Sequence, residues 1–139
     1  MTSTRQYLLE AQRIHLRLKL QQERLLSWQE MATSITAQIG TIGTTPTKRT
    51  DKLEKCVEEI ILLQDKIQDE ILRLTDLESE IQTIFSKIEN PTVRTLMEMK
   101  YLNGYSLADV AAEMNYSYVW VSQLHKKGLE ATNSIRKFM

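Results

Sequence analysis

From Leu53 to Ile88 an apolar residue falls at every seventh position: Leu53, Ile60, Ile67, Leu74, Ile81 and Ile88. A second track of Cys56, Leu63, Glu70, Leu77 and Ile84 runs beside it, with Glu70 its one polar member. Val57, Ile71 and Phe85 widen the stripe, and neither Pro nor Gly interrupts it. Such a pattern specifies one long helix that buries a seam along its length against other helices, as a coiled coil or bundle does.

The preceding segment carries a looser version, with Ala11, Leu18, Leu25, Ala32 and Ile39 on one track and Ile14, Gln21, Trp28 and Ile35 on the other. Between the two lies GTIGTTPTKRT, residues 40–50, whose glycines and Pro46 break a helix. Thr50 or Asp51 is a ready cap for the second helix, and Asn90-Pro91 ends it and opens the next. The expected elements are helices over about 3–39 and 51–89 joined by a loop at 40–50. Helices of this length span about 57 Å at 1.5 Å per residue, and the short connector predicts an antiparallel hairpin.

Charge supports that pairing. Residues 1–50 hold 7 basic and 3 acidic groups, residues 51–90 hold 5 and 11, and residues 91–139 hold 6 and 4. The local balances are therefore +4, −6 and +2 within a chain of zero net charge. The basic first helix attracts the acidic second along its flanks. A two-helix hairpin alone buries little, so the wide apolar stripe predicts added helices from a second copy of the chain, the alternative being an intrachain hairpin covered by the carboxy-terminal domain.

Beyond the hairpin, LADVAAEMNYSYVWVSQLHKK, residues 107–127, has the spacing of a helix-turn-helix. Ser106 and Asp109 form a Ser-x-x-Asp capping box. Val110, Ala111 and Met114 make the inward face of a first short helix. Asn115 stands at the turn, where a left-handed residue is often needed. Ser117 caps the next helix, whose buried side is Val121 and Leu124. Tyr118, Val119, Ser122, Gln123 and Lys126 then project from the opposite side. Gln is able to contact adenine at two points, and Val119 suits a thymine methyl group. Ser117 and Tyr118 are placed for phosphate contacts, and Lys126, Lys127, Arg136 and Lys137 for neutralising backbone charge. Trp120 lies off the buried face. Tyr101, Tyr105 and Tyr116 are expected to frame the small core with their hydroxyls reaching water.

Met97, Lys100, Tyr101, Gly104, Ser106, Leu107, Asp109, Val110, Ala111, Ser117, Val121, Leu124 and Leu129 together carry a resemblance. The segment LMEMKYLNGYSLADVAAEMNYSYVWVSQLHKKGLEA resembles the fourth region of bacterial sigma factors, which binds the minus-35 promoter element. The whole chain is similar to a phage or prophage family of small sigma-like helix-turn-helix proteins of Gram-positive bacteria. That resemblance implies binding of double-stranded DNA, transcription regulation, and a contact to RNA polymerase. Where sigma factors carry Arg and Glu along the groove-facing side, this chain has Tyr118, Val119, Ser122 and Gln123.

Other classes find little support in the residues. His15 and His125 stand in no metal-ligand spacing with Cys56 or with each other. No Gly-rich phosphate loop and no Ser/His/Asp set is visible. No apolar run approaches the roughly 20 residues that span a bilayer, and MTSTRQYLLE lacks the apolar core of a signal peptide. A single cysteine fits a reducing bacterial cytoplasm. The sequence thus predicts an all-α, non-enzymatic protein without cofactor or metal. Residues 1–90 form a coiled-coil hairpin serving as a homodimerisation stalk, and residues 91–139 a compact helix-turn-helix domain. The competing expectation is a protein-interaction module that binds host transcription machinery through the stalk without specific DNA binding.

Overall fold

The computed structural model describes residues 3–39 and 46–139 and is all-helical over them, with no strand. The elements are α1 (Thr4–Ile39), α2 (Pro46–Ser86), α3 (Pro91–Tyr101), α4 (Leu107–Met114) and α5 (Tyr118–Lys137). Residues 40–45, most of the expected loop, lie outside the described residues. None of the described helices is long and apolar enough to cross a membrane.

Two boundaries differ from the sequence expectation. α2 starts at Pro46 rather than at Thr50 or Asp51. A proline in the first turn removes only an N–H that has no helical acceptor, so Pro46 opens the helix instead of barring it. At its other end α2 stops at Ser86, three residues early. The amides of Lys87 and Ile88 there reach back only three residues, to the carbonyls of Ile84 (3.1 Å) and Phe85 (3.1 Å), which tightens and ends the last turn. Asn90 then caps α3, its side chain accepting from the amides of Thr92 (2.9 Å) and Val93 (3.3 Å), and Arg94 donates twice to the Ile88 carbonyl at 3.0 and 2.6 Å.

The two long helices pack against each other along the predicted tracks. Of the α2 tracks, Cys56, Leu63, Ile67, Leu74, Ile81, Ile84 and Ile88 are buried. On α1, Ala11, Ile14, Leu18 and Ile35 are buried, while Gln21, Leu25, Trp28 and Ala32 are half-buried. The widening positions behave differently: Phe85 is fully buried, but Val57 and Ile71 are each 45% exposed.

The chain divides into two compact units. One comprises residues 15–73, the hairpin proper, where α1 and α2 run antiparallel. Arg17 Nε lies 3.8 Å from the Glu70 carboxylate, and Arg49 donates to the Gln38 carbonyl at 3.5 Å. Both pairs fit a register in which the numbers of facing α1 and α2 residues sum to about 87. Glu70 is nearly buried, its side chain 13% exposed, and Arg73 also reaches it at 3.7 Å.

The other unit joins the chain up to Ile14 to Leu74–Met139. The expected boundary at residue 90 therefore falls inside this unit. Leu8, Ala11 and Ile14 of α1 share its core with Ile81, Ile84 and Phe85 of α2, with Leu96, Met97 and Tyr101 of α3, and with Val110 and Val121. Polar contacts fasten α1 to the later helices. Gln12 Nε2 donates to the Lys100 carbonyl (2.8 Å), Thr4 Oγ1 bonds Asn133 (3.0 Å), and the Arg136 guanidinium stacks 4.0 Å from the Tyr7 ring. The heptad repeat runs unbroken across residue 74, so nothing in its spacing marks the change from a hairpin seam to a five-helix core.

Candidate nucleic-acid interface

α3, α4 and α5 pack on one another, and α5 presents the candidate surface. Its placement begins in the turn before α4. Gly104 adopts φ +77, a left-handed conformation that glycine takes without penalty, and Tyr105 donates back to the Met99 carbonyl at 3.0 Å. Ser106 then caps α4 reciprocally with Asp109: Ser106 Oγ accepts from the Asp109 amide at 3.0 Å, and Asp109 Oδ2 from the Ser106 amide at 3.4 Å.

α4 ends after two turns at Asn115, which sits at φ 58, ψ 40, the left-handed region. This reversal lets the Tyr116 amide close on the Ala111 carbonyl at 3.0 Å. Ser117 restarts the chain as the cap of α5, its Oγ accepting from the Trp120 amide at 3.1 Å. Only Tyr116 and Ser117 separate the left-handed residue from α5, so the two helices are held at a fixed turn with little slack.

The inner side of α5 is formed by Val121, Leu124, His125, Gly128 and Thr132. Their spacing of three and four residues is one face of a helix. Gly128 is required by close approach: a Cβ there would stand against the Met97 sulfur and 2.7 Å from Met97 Cγ. His125 shares a 2.6 Å hydrogen bond with the Tyr101 hydroxyl, and the two rings stack with centroids 5.7 Å apart. Burial, with the positive charges of Lys100 and Arg5 adding to it, pushes the His125 pKa down to about 4, so the imidazole is neutral at physiological pH. Burial likewise pushes Tyr101 up to about 12. This pair is structural, and it replaces the expectation that Tyr101 points its hydroxyl to water. Tyr105 is half-buried, and Tyr116, 41% exposed, stands outside the core it was expected to frame.

Among the expected contact residues, Ser117, Tyr118, Val119, Gln123, Lys126 and Lys127 are exposed and Ser122 is half-buried. At helical spacing Val119, Gln123 and Lys126 point directly away from the inner side. Ser122 and Tyr118 lie on one flank, and Trp120 and Lys127 on the other. Lys127 Nζ stands 5.8 Å from the Trp120 ring centroid, a cation–π contact that holds both side chains on the surface. Glu130, exposed one turn beyond Lys126, puts a negative charge at the end of this face. The first turn of α5 is unusually apolar for solvent: Tyr118 is 57% exposed, Val119 66% and Trp120 42%.

One expected anchor is otherwise engaged. Arg136 packs on Tyr7 and donates to Thr4 Oγ1 at 3.4 Å, fastening the start of α1. Lys137 remains exposed near the end of α5. The residues that sequence reasoning passed over are His125 and Gly128. Both fall on the Val121–Leu124 face at positions i+4 and i+7, so the helical period alone would have placed them inside. Comparison with family models, with curated proteins and with solved structures finds no match to this chain.

Proposed function

We propose that this protein is a sequence-specific, sigma-like DNA-binding transcription regulator of phage or prophage origin, in which α4, its turn and α5 act as a helix-turn-helix. α5 enters the major groove with Val119, Ser122, Gln123 and Lys126 toward base edges. Ser117, Tyr118 and Lys127 hold the phosphate backbone. The observation that carries this reading is the outward face of α5. A capped helix start presents hydroxyl, amide and apolar groups together, two lysines follow, and the turn from α4 fixes its angle. The first N–H groups of any helix lack intrahelical acceptors and favour phosphate oxygens. Val119, at 66% exposure, gains more from a thymine methyl than from water. The wide apolar stripe of the long helices makes it a homodimer in the host cytoplasm, and the sigma-like pattern implies a contact to RNA polymerase.

Fluorescence anisotropy of the full chain with labelled duplex DNA, repeated across salt concentrations, tests this. The expected result is binding whose affinity falls steeply as salt rises, because lysines displace counterions from the phosphates. Absence of binding to any duplex at low salt overturns it. A second reading, a module that binds host transcription proteins through the hairpin, draws on the apolar side chains exposed there, such as Leu20 and Ile61. Capture of RNA polymerase by the hairpin, without DNA binding, would favour it.

A further inference from the structure

Within the hairpin unit, charge is distributed very unequally between the two broad faces. The positions one and four after each first-track residue share a flank of the helix at helical spacing. In this unit they are His15, Lys19, Gln22, Leu26, Gln29, Thr33 and Thr36 on α1, and Glu54, Val57, Ile61, Gln64, Gln68 and Ile71 on α2. All are exposed, and of these Lys19 and Glu54 alone carry a formal charge, one toward each end. Because α2 runs opposite to α1 and faces it, the equivalent flanks of both helices come to the same side of the hairpin. The opposite side carries Arg17, Arg24, Glu59, Lys66 and Asp69 among its apolar residues. One face is therefore free of charge over about four turns, with Leu26 56%, Val57 45% and Ile61 53% exposed.

We infer that this uncharged face is the dimer interface, covered by the same face of a second copy turned end for end. The inference rests on the dimeric reading above and specifies its surface. Three observations select this occupant. A face of aliphatic groups, amides and hydroxyls offers nothing for a charged partner to pair with, but it is complementary to itself, as a two-fold interface requires. Next, Leu26 and Ile61 stand at one level in the hairpin register, and the two charges that bound the face are placed symmetrically about that level. Lys19 lies seven residues to one side, and Glu54 seven residues from Ile61 to the other. Turning the second hairpin end for end brings the Lys19 end of each copy to the Glu54 level of the other. The same-direction alternative gathers both lysines at one end and both glutamates at the other. Lastly, about 25 residues of α1 at 1.5 Å each give the whole side of the hairpin, Lys19 and Glu54 included, roughly 37 by 20 Å or about 750 Å² per copy, close to the ~800 Å² of a stable interface, with the uncharged stretch as its central ~22 Å. In the resulting four-helix arrangement Leu26 packs on Leu26 of the second copy, and Ile61 on its equivalent.

Sedimentation of the full chain at tens of micromolar, with helicity followed by circular dichroism, tests the surface. The wild type sediments as a dimer, Ile61→Glu sediments as a monomer of unchanged helicity, and Leu20→Glu on the charged side remains dimeric. The orientation is tested by Leu26→Cys in a Cys56→Ser background, where a short bis-maleimide links two chains, while Leu20→Cys in the same background gives no linked product. A monomeric wild type overturns both this interface and the dimeric reading. A dimer that survives Ile61→Glu overturns the interface alone, and failure of Leu26→Cys to link overturns the end-for-end arrangement.

Discussion

At the scale of single residues, the proposed function gives α5 three duties, separated by direction around one helix. Gln123→Ala removes an outward amide and is expected to weaken specific binding by roughly 1–3 kcal/mol while relaxing preference at one base pair. Lys126→Ala is expected to weaken binding to all duplexes alike and to lower the salt slope by about one. Leu124→Ala, on the inner side at 4% exposure, opens a cavity instead and costs roughly 2–5 kcal/mol of stability. Thermal melts beside anisotropy titrations tell these effects apart. His125 adds a pH dependence whose sign is fixed. In the unfolded chain the imidazole takes a proton as pH falls through 6.5, but in the fold only near 4. Unfolding therefore takes up a proton between those values, so stability is complete above pH 6.5 and is lost as pH falls toward 4. His125→Gln should flatten the melting temperature across that window, and an unchanged pH profile would contradict the role given to the Tyr101–His125 pair. The outward positions of α5 could be read from the sequence because Val121 and Leu124 fix the inner face. The Tyr101–His125 bond could not, because it joins α3 to α5 across 24 positions.

At the scale of elements, caps and seams set where the helices begin, end and pack. Ser106, Asp109, Asn115 and Ser117 all take the backbone roles their side chains suggest, because capping is a local matter decided within four residues. Asn115→Val should cost roughly 1–2 kcal/mol, since a β-branched side chain crowds the left-handed backbone, whereas Asn115→Gly should be tolerated. The end of α2 escaped the pattern because Ile88 keeps the seven-residue spacing while the backbone has already left the helix. Glu70 is the departure from apolar character on the α2 side of the seam, nearly buried between Arg17 and Arg73. Glu70→Leu is expected to be neutral or to stabilise the hairpin by about 1–4 kcal/mol, because a buried charge is expensive to desolvate. A drop in melting temperature would show instead that the ion pairs outweigh that cost.

For the molecule as a whole, zero net charge means that no long-range field draws it to nucleic acid. On the proposed reading, affinity for DNA comes from a few local cations, mainly Lys126 and Lys127 in each copy of the proposed dimer. Four such contacts in a dimer give a slope of log affinity against log salt of about −3.6, shallow beside proteins that wrap DNA in a broad basic surface. The two-unit division was not legible in advance. Leu8, Ala11 and Ile14 continue the α1 periodicity, yet they pack into the core that α3, α4 and α5 complete. The period records that a residue is buried, not which helix covers it. The central claim, that the outward face of α5 reads DNA sequence, is met most directly by selecting the fragments that the full chain retains from random duplex DNA, with Gln123→Ala treated in parallel. One enriched motif is expected for the wild type, and loss of preference at a single position for the variant. No enrichment by the wild type, or an identical motif from a folded Gln123→Ala, would contradict it.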